Sequence, residues 1–300
     1  MYKRQQIEYI YADGWQNIKG KNYYFEDSNA VTGWKNIDGV QYYFNEDGSL
    51  GSSLVIDVSR YNGSIDWDSV KSSGINYAMI RVGYRAQKTG VIYADTNAKY
   101  NMQQAAANGI KVGAYFFSSA VNEAEAIEEA DWVADFISDY SITYPVAFDC
   151  EGFNTSESRQ KSMTKAERTA AATSFLQEIY DKGYTPMFYA ASSELSNNNQ
   201  WNTASLENSY KIWVAQYPST PYPETPSTSY TGTCSMWQYT NQGRVAGIGT
   251  NVDINVAYFG YSESNGSLSG ETAAAASPDV EAGMVFTSVN DTAVSYTHLR

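Results

Sequence analysis

The chain has 300 residues, enough for one barrel-sized domain with small appendages. Its net charge of -13 excludes nucleic acid as a partner, because phosphate binding needs clustered Lys and Arg. Two cysteines are too few for a disulfide framework, and no apolar run is long enough to span a bilayer, so no membrane partner is expected.

Both ends read as foreign sequence. Met1-Tyr2-Lys3-Arg4-Gln5 and Val294-Ser295-Tyr296-Thr297-His298-Leu299 translate the two complementary strands of one transposon-end adapter. Residues 1–5 and 294–300 are therefore set aside from fold reasoning, and the natural chain is expected to extend past both. The single histidine, His298, falls in this tail. Neither a Ser-His-Asp triad nor a His-ligated metal is then available, and no metal or cofactor is expected.

Residues 6–51 carry a repeat. Gly14-Trp15-Gln16-Asn17-Ile18 returns as Gly33-Trp34-Lys35-Asn36-Ile37, and Tyr23-Tyr24-Phe25 returns as Tyr42-Tyr43-Phe44. Each copy predicts a hairpin: a Trp-bearing strand, a turn at Gly20 or Gly39, an aromatic strand and a polar turn. One hairpin cannot bury its own face, so the copies should stack as a small β-hairpin solenoid. The units resemble the choline-binding and glucan-binding repeats of Gram-positive surface proteins. That resemblance implies a ligand face made by Trp15, Tyr23, Tyr24, Trp34, Tyr42 and Tyr43, with choline, teichoic acid or glucan as partner. The alternative is that these rings only pack on one another.

From residue 54 to 261 the pattern changes to strands alternating with helices. Strands are expected at 54–58, 77–82, 112–117, 146–150, 187–190, 212–215, 235–239 and about 252–254. A helix over 123–140 has an apolar stripe through Ile127, Ala130, Val133 and Ile137, and its Glu-rich start, 123–129, is expected to be a solvated face. A second, over 164–182, opens with Thr164 and Glu167 as a capping box and stops at Gly183. Such alternation predicts an α/β fold, an irregular (β/α) barrel of about eight strands, least regular where the later strands leave little room for helices. Cys150 and Cys234, in apolar strand-like runs, read as buried thiols. Residues 262–280 are expected to be a flexible linker, and 281–293 the start of a truncated SH3-like module.

Barrel sites sit at the C-terminal ends of the strands, and four carboxylates fall at or near that level: Asp57, Asp149, Glu151 and Asp253. Strand side chains alternate, so Asp149 and Glu151 should share one face while Phe148 and Cys150 share the other. Two adjacent, partly buried carboxyls repel, so one should keep its proton near neutral pH, as a general acid for glycosidic oxygen must. The bland alternative is a strand-end Asp-x-Glu that only bonds its own loops. Among aromatics and polar groups near strand ends, Tyr84, Tyr115, Tyr189, Trp213, Trp237, Gln238, Arg81 and Gln216 are candidates for holding sugar.

Val55-Ile56-Asp57-Val58-Ser59, Asn62-Gly63-Ser64-Ile65-Asp66-Trp67, Gly113-Ala114-Tyr115-Phe116-Phe117-Ser118, Asp149-x-Glu151, Met236-Trp237-Gln238-Tyr239 and Val252-Asp253 together resemble a family 25 glycoside hydrolase lysozyme. The resemblance runs from residue 54 to 259 in the family's order and departs at Asn62, where relatives often carry Gln. It implies a modified β/α barrel that hydrolyses the β-1,4 bond from N-acetylmuramic acid to N-acetylglucosamine in bacterial peptidoglycan. It also implies Glu151 as acid and base, Asp149 as assistant, Asp57 and Asp253 completing an acidic floor, and retention of configuration. A secreted or wall-associated autolysin, or a phage lysin, would fit. Two rival readings remain open at this point: a barrel that binds glycan without cutting it, and a glycosidase acting on another N-acetylhexosamine polymer.

Overall fold

The computed structural model describes residues 9–18, 21–37, 40–51, 53–222, 224–225, 227–262 and 284–286. They group into two compact units, one drawn from Met1–Lys35, Phe44–Leu50 and Ser277–Arg300, the other from Asn36–Tyr43 and Gly51–Ala276. Among the described residues no helix is long and apolar enough to cross a membrane.

The larger unit is a closed barrel. Its strands are β1 (Ser53–Val58), β2 (Tyr77–Arg85), β3 (Lys111–Phe117), β4 (Ile142–Asp149), β5 (Pro186–Ala191), β6 (Lys211–Ala215), β7 (Met236–Gly243) and β8 (Val252–Ala257). Each pairs with its neighbours in chain order, and β8 returns to β1 to complete the circle. Pairings from β1 to β7 are parallel, whereas β8 runs antiparallel to both β7 and β1. The reason is chain length. Only residues 244–251 join β7 to β8, too few for the crossover that a parallel return requires, so the chain folds back as a hairpin. The irregularity expected of the later strands is therefore real, and it has a direct consequence for the site.

Helices α1 (Trp67–Ser72), α2 (Ala98–Ala107), α3 (Glu123–Ile137), α4 (Lys165–Asp181), α5 (Ser192–Leu195) and α6 (Thr203–Glu207) lie between the strands. The capping box on α4 forms as expected, with Thr164 and Glu167 bonding each other's backbone. Strand alternation divides the apolar residues into two sets. Phe116, Phe148, Phe188 and Val214 face outward and pack with Phe175, Ile179 and Trp201 from the helical layer. Val55, Met79, Ala147, Met187, Trp213 and Met236 face inward and fill the barrel. Each fully buried ring or aliphatic chain contributes roughly 1.5–3 kcal/mol of transfer free energy.

The Glu-rich start of α3 is only in part the solvated face expected of it, with Glu123 and Glu128 exposed and Glu125 and Glu129 drawn inward. Glu129 is 0% exposed and accepts a 2.7 Å bond from Arg85 Nε, while Glu125 takes both Nη atoms of Arg159 at 2.6 and 2.8 Å. Burial is the larger influence on Glu129, pushing its carboxyl up to about 7 despite Arg85. Cys150 is buried and free as expected, and Cys234 is free and partly buried.

In the smaller unit, Gly14–Ile18 pairs antiparallel with Lys21–Glu26, setting Trp15 opposite Tyr24. A tight turn with Asp27 and Ser28 both at positive φ leads to Asn29–Ala30. Gly14 and Gly33, at matching repeat positions, both sit at positive φ, the backbone state that a β-carbon disfavours. Trp15 packs edge-on to Tyr24 at 5.3 Å and tilted against Phe44 at 5.7 Å. The backbones of Trp34 and Tyr43 lie in strands; the turns at Gly20 and Gly39 lie outside the described residues.

Residues 36–43, expected among the repeats, fall in the compact unit that holds the barrel, and Tyr42 is buried, so it is not available to a ligand face. The strand Val40–Phe44 pairs with Tyr261–Ser262. The rest of the expected linker, both adapter-like ends and His298 lie outside the described residues. Of the expected SH3-like module only Met284–Phe286 is described, paired antiparallel with Tyr9–Tyr11.

Candidate active site

A cleft of about 540 Å³ opens at one end of the barrel, where β1 to β6 present their C-terminal ends. All four expected carboxylates line it. Asp57 is the next-to-last residue of β1 and Asp149 the last of β4. Glu151 follows two positions later, on the same side as Asp149, while Phe148 and Cys150 belong to the outward layer. Just beyond, Gly152 adopts φ +66°, which turns the chain sharply. Asp253 arrives differently. It is the second residue of β8, not near its end, and only the reversal of β8 brings it to this rim, directly opposite Asp57.

Crowding these acids in a sheltered cleft disfavours their charged forms. Burial first, then the Asp253 and Glu151 charges, hold Asp57 well above the usual carboxyl range. Burial, then Glu151 as charge and hydrogen-bond partner, does the same to Asp149. Glu151 is raised mainly by burial, with the Asp149 hydrogen bond pulling the other way. Asp253 rises to about 6, through burial and then Glu151. Burial and the neighbouring carboxyl together disfavour charge on the Asp149–Glu151 pair, which favours retention of a proton there.

One oxygen of Asp57 is held by two amides. Gln238 Nε2 and Asn255 Nδ2 donate to Oδ2 at 3.0 and 2.9 Å. Gln238 is itself oriented, because its Oε1 accepts from the Tyr189 and Tyr217 hydroxyls at 3.0 and 2.6 Å. Asn255 is oriented by Trp213, whose Nε1 donates to Oδ1 at 2.7 Å. With both amide oxygens occupied by donors, both amide nitrogens must face the carboxylate. Among the described residues no cluster of His, Cys, Asp and Glu is arranged to hold a metal ion.

Of the sugar-holding candidates, Arg81, Tyr115, Tyr189, Trp213 and Gln238 line the cleft. Arg81 is the only cation among the lining residues, and it is committed to Asp95 through Nε and Nη2 at 2.9 and 2.8 Å. Trp213 meets Tyr189 and Tyr115 edge-on at 4.7 and 6.2 Å, forming an aromatic wall. Three candidates lie elsewhere. Trp237 alternates with Gln238 and is therefore outside the barrel, 0% exposed, its Nε1 bonded to the Gln216 carbonyl. Gln216 turns its side chain into its own loop, accepting from Thr228 and Ser229. Tyr84 stacks on Tyr93 and accepts from Arg60, beside the cleft but not lining it.

The structure also adds residues that strand patterning did not mark: Ser59, Tyr61, Asn62, Phe117, Tyr217, Asn241, Thr250 and Asn251. Most of these lie on loops or strand ends, beyond the reach of periodicity. Asn62, the departure from the family pattern, accepts from Ser59 N and donates to the Asn251 carbonyl, tying the loops after β1 and before β8.

A barrel mouth with two neighbouring carboxyls whose charge is disfavoured, two further acids and an aromatic wall has the equipment of a glycoside hydrolase. The model of glycosyl hydrolases family 25 matches residues 56–248, and the chain belongs to that family. The model of a cell wall binding repeat of the choline-binding type matches residues 13–29 and 32–50. Lysozyme M1 of Streptomyces globisporus is 31% identical over 212 residues, and the match covers 67% of this chain and 66% of that protein's length. The bacterial lysozyme from Streptomyces coelicolor is similar in structure, with a TM-score of 0.52 and 25% identity over 68% of this chain and 91% of its own. The modular autolysin LytC from Streptococcus pneumoniae shares the fold, with a TM-score of 0.58 and 22% identity over 83% of this chain and 68% of its own.

Proposed function

We propose that the protein cuts peptidoglycan as a muramidase, hydrolysing the β-1,4 bond between N-acetylmuramic acid and N-acetylglucosamine. The observation that carries this reading is the Asp149–Glu151 pair, lining the mouth of a closed barrel with Asp57 and Asp253, its charged forms disfavoured by burial. Glu151, the less buried of the pair, protonates the leaving oxygen and then takes a proton from water. Asp149 and Asp57 hold the substrate's 2-acetamido group, whose oxygen supports the developing positive charge and leads to retention. Arg81, Tyr115, Tyr189, Trp213 and Gln238 position the sugars.

Peptidoglycan as substrate agrees with the solved complex of the S. pneumoniae autolysin LytC with a synthetic peptidoglycan ligand. The repeats act as a wall tether, with the half-buried Trp15, Tyr23 and Tyr24 as part of a face for choline, teichoic acid or glucan. Tethering raises the effective concentration of the barrel at an insoluble substrate. The protein then works outside the cell or at the wall, as an autolysin or a phage lysin.

Mass spectrometry of the fragments released from purified peptidoglycan, with and without borohydride reduction, tests the bond assignment. New reducing ends at N-acetylmuramic acid are expected. Ends at N-acetylglucosamine would contradict the assignment, and binding without release would favour a barrel that holds glycan uncut.

A further inference from the structure

The cleft is acidic along its floor, yet peptidoglycan is itself anionic, because the peptide on each muramyl lactyl arm carries carboxylates. A cation near the rim would favour such a substrate. Arg81 is already paired with Asp95. Arg60 is not among the cleft-lining residues, but it adjoins Tyr61, which is. It lies on the short turn Arg60–Asn62 directly after β1, three residues beyond Asp57.

The turn is rigid. Ser59 and Asn62 form a reciprocal cap, and Arg60 N donates to Asp95 Oδ2 at 3.0 Å. The guanidinium lies within cation–π distance of two phenol rings, 5.1 Å from the centroid of Tyr61 and 4.9 Å from that of Tyr84. Its Nη2 donates to the Tyr61 hydroxyl at 3.3 Å and its Nη1 to that of Tyr84 at 3.1 Å. Among the described residues it has no carboxylate partner. Of the five N–H donors on a guanidinium, these two bonds leave three unused. Tyr61, in turn, lines the cleft and is 70% exposed. The two phenols hold the guanidinium without neutralising it, which leaves its charge for a carboxylate.

We propose that Arg60 and Tyr61 form a rim subsite for a carboxylate of the stem peptide carried on a muramyl lactyl arm, so that the enzyme prefers peptide-bearing acidic strands. This rests on the peptidoglycan reading above. The lactyl acid of a peptide-free strand offers the same chemistry, and the test separates the two sources.

The test uses the full chain carrying Glu151→Gln, which holds soluble peptidoglycan fragments without turnover. Calorimetry compares fragments with free stem-peptide carboxylates and the same fragments after conversion of those groups to carboxamides. The free acids should bind on the order of tenfold tighter, as a charge-assisted hydrogen bond allows, and the gap should narrow with added salt. Adding Arg60→Gln should erase the gap, and Arg60→Lys should keep part of it. Tyr61→Ala, which truncates an exposed ring, should narrow it with the thermal melt unchanged, a check independent of how Arg60 variants fold. Equal affinity for the two fragment types, no measurable binding of the free acids, or a gap that survives Arg60→Gln would overturn the subsite. Arg60 dependence confined to amidase-stripped glycan would assign the site to the lactyl acid and overturn the peptide assignment. Failure of the unmodified enzyme to release fragments overturns the muramidase reading instead, and the titration still decides the subsite.

Discussion

Asp57 and Asp253 are direct cross-strand partners on the antiparallel seam between β8 and β1. Like charges placed opposite each other in a sheet destabilise it, and here burial compounds the repulsion. The fold tolerates the pair at some cost in stability, which is common where a site needs what the fold does not.

Asp253→Asn should therefore raise the melting temperature at pH 8 while lowering activity. The sign follows from linkage. A carboxyl raised to about 6 in the folded protein supports stability at low pH and loses that support as pH rises through about 6. The gain from Asp253→Asn should be small at pH 4, below the raised range of Asp253, where its neutral form dominates. Differential scanning calorimetry at the two pH values checks it; equal gains at both would mean that the repulsion is not the cause.

Much of this site was legible because strand alternation is a local rule. Asp149 and Glu151 on one face, with Phe148 and Cys150 on the other, followed from spacing alone. Asp253 was marked for an incomplete reason: it begins β8, and only the hairpin reversal carries it to the rim. The same alternation, applied to Met236-Trp237-Gln238, would have put Trp237 outside once Gln238 was placed inside. Glu129 had a signal as well, since it shares the buried side of α3 with Ala126, Ala130, Val133 and Ile137. Tyr61 and Tyr217 had none, because their positions depend on loops that no period describes.

Glu151→Gln should lower kcat by at least about a hundredfold and leave the thermal melt intact, since the amide fills the same space but supplies no proton. In the unmodified enzyme, activity should decline as pH rises past the raised range of the Asp149–Glu151 pair, because the acid form is then lost. A pH profile of kcat/KM measures this. Retained turnover in the variant would remove Glu151 from the acid role.

The two phenols on Gln238 make a prediction about coupling. Tyr189→Phe or Tyr217→Phe alone leaves one donor on Gln238 Oε1, so the amide keeps its orientation toward Asp57. Each should cost less than about tenfold in kcat/KM, while the double variant should lose more than the product of the two. Strictly additive losses would show that the phenols act on the substrate separately and not through the amide.

Trp213 and Trp237 should separate cleanly in kinetics. Trp213 lines the cleft and orients Asn255, so Trp213→Phe should lower kcat/KM. Trp237 is sealed in the outer layer with Tyr239 and Val256, so Trp237→Phe should lower stability with KM unchanged. Steady-state kinetics beside thermal melts distinguish them, and a raised KM in Trp237→Phe would return that residue to the site.

Arg85 and Glu129 carry the last prediction. Both side chains are almost fully buried, so the cost of desolvating them is already incurred; removing Arg85 leaves Glu129 without its cation, whereas Arg85 without Glu129 still has Glu128 at 2.7 Å. Arg85 also donates to the carbonyls of Gly90 and Glu125, so it fastens the end of β2 and the loop after it to α3. Arg85→Met should cost about 3–5 kcal/mol, the range for breaking a buried ion pair. Glu129→Gln should cost less at neutral pH, because a carboxyl pushed up to about 7 is already partly protonated there and the amide resembles that form. Urea unfolding of both variants at pH 7 gives the comparison. A larger loss for Glu129→Gln than for Arg85→Met would mean that the charged carboxylate, and not the arginine's backbone contacts, holds this corner of the barrel together.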